Sequence, residues 1–87
     1  MLDLQSFVSV VIPVYNGSKY LGKCLDAISA STYRSYEMIV VDDSSTDNSA
    51  EIARKKGATV FQLPQQSGPV AVRNCVAEKA KGDILFC

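Results

Sequence analysis

Met38-Ile39-Val40-Val41 is an unbroken apolar run that passes directly into Asp42-Asp43. A strand exposed on one face alternates apolar and polar residues, whereas an unbroken run belongs to a strand covered on both faces, as in a parallel sheet flanked by helices. Residues 36–43 are therefore read as a buried parallel strand, which excludes a half-exposed hairpin. Beyond the two acids lies the hydroxyl-rich stretch Ser44-Ser45-Thr46-Asp47-Asn48-Ser49. In open α/β sheets, ligands sit outside the carboxyl ends of the strands, where backbone pairing stops and polar side chains converge. This junction is thus expected to border a crevice for a polar ligand.

The rest of the chain supplies the layers such a strand requires. Residues 7–12 are β-branched and apolar and are expected to form a first strand stopped by Pro13. After the turn Tyr15-Asn16-Gly17-Ser18, apolar side chains recur at Leu21, Cys24, Leu25 and Ile28, the spacing of one helical face. A second helix is expected over residues 49–56. Asn48 and Glu51 resemble a capping box, Asp47 complements the helix dipole, and Gly57 offers a left-handed stop. Residues 59–63 form a third strand closed by Pro64. The loop 65–69 then leads into a helix carrying Val72, Val76 and Ala80 on one face and ended by Gly82. Residues 83–87 begin a fourth strand. The order βαβαβαβ requires right-handed crossovers and a parallel sheet with helices on both faces.

At 87 residues the chain is one small domain with a single core. Ile84-Leu85-Phe86 is apolar on both faces, as in a central strand, yet it would be the last strand here, so residues 1–87 are expected to be the front part of a larger domain. Lysine plus arginine and aspartate plus glutamate number nine each, so no net field attracts nucleic acid or an anionic membrane. No apolar run reaches the roughly 20 residues that span a bilayer, and MLDLQSF lacks the basic start of an export signal. Cys24, Cys75 and Cys87 are odd in number, without a CxxC, in a chain lacking histidine. That pattern argues against zinc and suits free thiols in the cytoplasm. The parent protein is expected to be cytoplasmic, either free or at the cytoplasmic face of a membrane.

Adjacent strand side chains point to opposite faces, so Asp42 and Asp43 are expected to divide their work. Asp43 would face the crevice, and Asp42 would accept N–H groups of the following turn, although both residues also suit plain turn formation. Arg73, beyond Gly68-Pro69, is a planar donor suited to carbonyl or phosphate oxygens, and equally a solvated helix residue. Tyr15 offers a ring for stacking, or simply packs. The patterns GxGxxG and GxxxxGK[ST] are absent, which argues against dinucleotide and P-loop binding.

Taken together, VSVVIPVYNGSKYL, YEMIVVDDSSTDNSAEIA, GPVAVRN and KGDILFC resemble the opening of an inverting family 2 glycosyltransferase of the GT-A fold. The resemblance runs from Phe7 to Cys87 and implies a Rossmann-like sheet of strand order 3-2-1-4. It further implies that Pro13 and Tyr15 line base and ribose, that Asp43 hydrogen-bonds the base, and that Arg73 meets base or phosphate, with Val14, Asp42, Ser45 and Gly68 in support. The implied donor is a nucleotide-diphospho-sugar. Asp43 with Arg73 matches a uracil edge, one N–H between two carbonyls, which favours UDP. The family's Asp-x-Asp, which holds Mn²⁺ or Mg²⁺, is expected immediately after Phe86-Cys87, and the acceptor-binding half and the catalytic base are expected later still. No catalytic or metal-ligating residue is therefore assigned within these residues, and they are expected to be inactive alone. The alternative reading is a non-catalytic module that forms a homodimer through the edge Ile84-Leu85-Phe86.

Overall fold

The computed structural model describes residues 7–65 and 68–86. Its elements alternate throughout: β1 (Val8–Val14), α1 (Leu21–Ser29), β2 (Tyr36–Asp42), α2 (Ser49–Lys55), β3 (Thr59–Gln62), α3 (Gly68–Lys79) and β4 (Asp83–Phe86). All strand pairs are parallel, in the order β3-β2-β1-β4. Both the expected architecture and the expected strand order are observed.

The unbroken apolar run of β2 serves two cores, one on each face of the sheet, which corrects the single core expected from the chain's length. Met38 and Val40 join Val8, Val10, Ile12 and Val14 of β1 beneath Leu21 and Leu25 of α1 and Ala53 of α2. Ile39 and Val41 join Val11 on the other face, beneath Val72 and Val76 of α3. Leu21, Leu25, Val40 and Val41 are fully buried, each contributing about 1.5–3 kcal/mol of apolar transfer. Both faces of β2 are dry, which is why its sequence does not alternate.

Several local expectations are corrected. β1 continues through Pro13 to Val14 instead of stopping at Ile12. The O atom of Phe7 accepts from Asp83 in β4, whereas Val8 N–H and Val14 O bond the β2 side. Odd-numbered residues of β1 thus turn their backbone toward β4, whose pairing ends at Val11↔Phe86. Pro13 therefore lacks its donor where no described strand needs one. β2 ends at Asp42, leaving Asp43 in the crevice loop. Asn48 makes no side-chain cap bond, so the expected capping box is not formed. Asp47 Oδ1 instead accepts Ser49 N–H at 3.0 Å and Ser49 Oγ at 2.5 Å. Gly57 does close α2 with φ +89°, Gly57 N–H reaching Arg54 O and Ala58 N–H reaching Ala53 O.

α3 ends at Lys79, three residues before Gly82. Gly82 instead permits a close approach of two backbones, since a Cβ there would stand 2.2 Å from Phe7 O. Its N–H donates to the buried Ser9 Oγ at 3.0 Å, and Glu37 Oε2 accepts both Ser9 Oγ (2.7 Å) and Lys81 N–H (3.0 Å). This network braces the start of β4 against β1 and β2. Ile84, Leu85 and Phe86 remain about half exposed, and β4 pairs with β1 alone among the described residues. Cys87 lies outside the described residues, as do Gln66 and Ser67 of the expected loop.

Candidate nucleotide site

From β1 the chain steps outward to β2 and β3, then crosses back over the opposite face through α3 to place β4 on the other side of β1. The crevice at such a reversal is where ligands bind in open α/β sheets. A cavity of about 540 Å³ opens there, lined by Pro13, Val14 and Tyr15 at the end of β1, Asp43 after β2, Gly68, Pro69, Val72 and Arg73 of α3, and Phe86 of β4.

Four sequence-predicted contacts, Pro13, Tyr15, Asp43 and Arg73, thus share one cavity, together with Val14 and Gly68. Tyr15 is 48% exposed, so its ring is available at the rim. Asp43 is buried. Its N–H donates to Val14 O at 2.9 Å, and its Oδ2 accepts Gly68 N–H at 3.2 Å. Gly68 has φ +82°, a conformation that disfavours a side chain, and it opens α3 against the carboxylate. Arg73 stands on the exposed side of α3, one residue beyond the buried Val72.

Asp42 and Ser45 do not line the cavity. Asp42 is buried on the opposite face, where its Oδ1 accepts Ser45 N–H at 2.9 Å and its Oδ2 receives a long 3.4 Å contact from Gln62 Nε2. Ser45 Oγ accepts Asn16 N–H at 2.8 Å. The two adjacent acids therefore diverge, and each accepts from a backbone N–H. No three of His, Cys, Asp and Glu converge among the described residues. These residues do not fit a divalent metal.

Sequence reasoning misses Pro69, Val72 and Phe86 as lining residues, and with them the side chains that join the two loops beside the cavity. Asn16 Oδ1 accepts Thr46 N–H at 2.8 Å, Gly17 N–H donates to Ser49 Oγ at 3.0 Å, and Ser18 N–H donates to Asp47 Oδ2 at 3.1 Å. The Asn16-Gly17 turn signal and the polar run Ser45-Thr46-Asp47 are the available hints.

The Ser49 hydroxyl, helped by the Ser49 and Ser18 N–H groups, lowers the Asp47 pKa from 3.8 to about 2 against an opposing desolvation. A depressed carboxyl stabilises the fold above its unfolded value, and that contribution is lost as pH falls toward the folded value. Urea midpoints measured from pH 6 to 2 are expected to show wild type losing its advantage over Asp47→Asn between about 3.8 and 2. A constant difference across that window would contradict the assignment.

Residues 9–87 match the model of glycosyl transferase family 2. Glycosyltransferase AglE of Haloferax volcanii is 42% identical over 98% of this chain, which covers 30% of AglE. Among solved structures, S. aureus TarS 1-349 in complex with UDP-GlcNAc superposes with a TM-score of 0.82 at 35% identity, over 92% of this chain and 25% of the TarS 1-349 chain. The mannosyltransferase PcManGT of Pyrobaculum calidifontis, in complex with GDP-Man and Mn²⁺, gives 0.82 at 25% identity, over 92% and 26%. The chain spans a third or less of the length of the curated relatives it matches. Its four-stranded order and helical layers are those of GT-A glycosyltransferases. With nearly every residue from β1 onward accounted for by that match, the chain belongs to glycosyl transferase family 2.

Proposed function

We propose that this chain forms the nucleotide-binding side of a glycosyltransferase that moves a sugar from a UDP-linked donor to an acceptor hydroxyl with inversion. The observation that carries the reading is the meeting of Tyr15, Asp43 and Arg73 around one cavity at the sheet's reversal point. In this reading the Tyr15 ring stacks on the base, and Asp43 accepts the single N–H of the uracil edge. Arg73 donates to a flanking carbonyl or to phosphate. Pro13 and Val14 form the apolar wall behind base and ribose. The UDP-GlcNAc complex of TarS supports a UDP-sugar. The GDP-Man complex of PcManGT makes guanine the nucleotide to test against it.

A divalent metal would neutralise the leaving diphosphate, and the Mn²⁺ in the PcManGT complex supports one in the enzyme. Since the described residues do not fit it, its ligands are assigned to other parts of the enzyme; the acceptor site and the base that activates the acceptor hydroxyl are placed there with them by the family resemblance. Purified residues 1–87 are then expected to bind UDP saturably at millimolar concentration, more tightly than GDP, and to transfer no sugar from UDP-GlcNAc. Calorimetry and a UDP-release assay check both statements. Binding of neither nucleotide would overturn the site, and measurable transfer would overturn the division of labour.

A further inference from the structure

Three consecutive N–H groups of the β1–α1 loop are received by side chains of the β2–α2 loop and the start of α2. Asn16 donates to Ser45 Oγ, Gly17 to Ser49 Oγ, and Ser18 to Asp47 Oδ2. One side chain bonds in the reverse direction, since Asn16 Oδ1 accepts Thr46 N–H at 2.8 Å and Thr46 Oγ1 at 3.3 Å. Two residues of these loops sit in left-handed backbone. Asn16 has φ 51° and Ser44 has φ 66°, and they are the only non-glycine residues with positive φ among the described residues. Each directly follows a proposed ligand contact, Tyr15 in one loop and Asp43 in the other. Such conformations persist where surrounding bonds over-determine them.

We propose that Asn16 and Asp47 are positioning residues for nucleotide binding, clasping the two loops so that Tyr15 and Asp43 border one cavity before the ligand arrives. This rests on the nucleotide reading above. Asp47 suits this role because its two oxygens face different elements. Oδ1 holds the first residue of α2, and Oδ2 reaches the opposite loop. The clasp thereby ties the β1–α1 loop to a helix anchored in the core by Ala53. Prior ordering of the loops raises affinity by removing the cost of ordering them on binding.

The test titrates uridine and UDP into wild type, Asn16→Gly, Asn16→Asp and Asp47→Asn by NMR. Affinities are read on the folded resonances, so that lost stability alone does not register. Asn16→Gly keeps the left-handed backbone but removes the acceptor for Thr46. Asp47→Asn keeps an oxygen for Ser49 but turns an NH₂ group toward the Ser18 N–H. Both are expected to bind uridine about fivefold or more weakly as the competent fraction falls, while Asn16→Asp, which keeps the acceptor, stays within about twofold of wild type. Equal affinity in all four proteins would overturn the clasp and leave the nucleotide reading standing, whereas a wild type that binds neither ligand would overturn that reading itself. Should Asp47→Asn fail to fold, Ser45→Ala removes one exposed cross-loop bond. The same weakening is expected there, and unchanged affinity would count against the clasp.

Discussion

Asp43→Ala is expected to weaken uridine binding roughly ten- to a hundredfold while the chain stays folded. A hydrogen bond to a charged group is worth about 1.5–3 kcal/mol, and about 1.4 kcal/mol is tenfold in affinity. Asp43 sits just beyond β2, outside the ladder, and the core behind it is built by Val11, Ile39, Val41, Val72 and Val76. The substitution gives up the bond to Gly68 N–H at the start of α3, a local cost. Calorimetry of uridine binding beside a urea melt separates the two effects. A variant that loses its fold would assign the carboxylate to the turn instead of the ligand.

Leu25→Ala is expected to be among the most damaging of the simple truncations. Leu25 is fully buried between α1 and the face formed by Val8, Val10, Met38 and Val40. Removing such a side chain costs about 2–5 kcal/mol, against a total stability of about 5–15 kcal/mol for typical domains, with small ones at the low end. The urea midpoint should fall steeply with the slope unchanged. Val70→Ala is the control: Val70 is 71% exposed on α3, and its truncation should stay within about 0.5 kcal/mol of wild type. A loss at Leu25 no larger than at Val70 would contradict the packing described for α1.

The features legible in the sequence are those that burial writes into composition. The unbroken run 38–41 announces two covered faces, and the spacing of Leu21, Leu25, Val72 and Val76 announces the helices that cover them. The features missed depend on partners remote in the chain. Whether Pro13 ends β1 turns on which side of the strand β4 occupies, and β4 begins at Asp83. Gly82 reads as a helix stop until Phe7 O is found against it. Asn48 reads as the cap of α2 and Asp47 only as a charge near its dipole, until Ser49 and, from the other loop, Ser18 N–H are found bonded to the Asp47 carboxylate. The same distance hides the clasp: Asn16 and Thr46 are ordinary turn residues until parallel pairing of β1 and β2 brings their loops together. Of the cavity, Pro13, Val14, Tyr15, Asp43, Gly68 and Arg73 can be named from the sequence, whereas Pro69 and Val72 read there as helix residues and Phe86 as part of an edge strand.

The central claim is that one cavity at the carboxyl ends of β1 and β2 receives the nucleotide. Its most direct test is a UDP titration of the isotopically labelled chain, followed amide by amide. Saturable shifts are predicted at Tyr15, Asp43, Gly68 and Arg73, with Phe86 beside them. Absence of shifts at millimolar UDP, or shifts confined to the far end of the sheet around Ser9, Glu37 and Lys81, would contradict it.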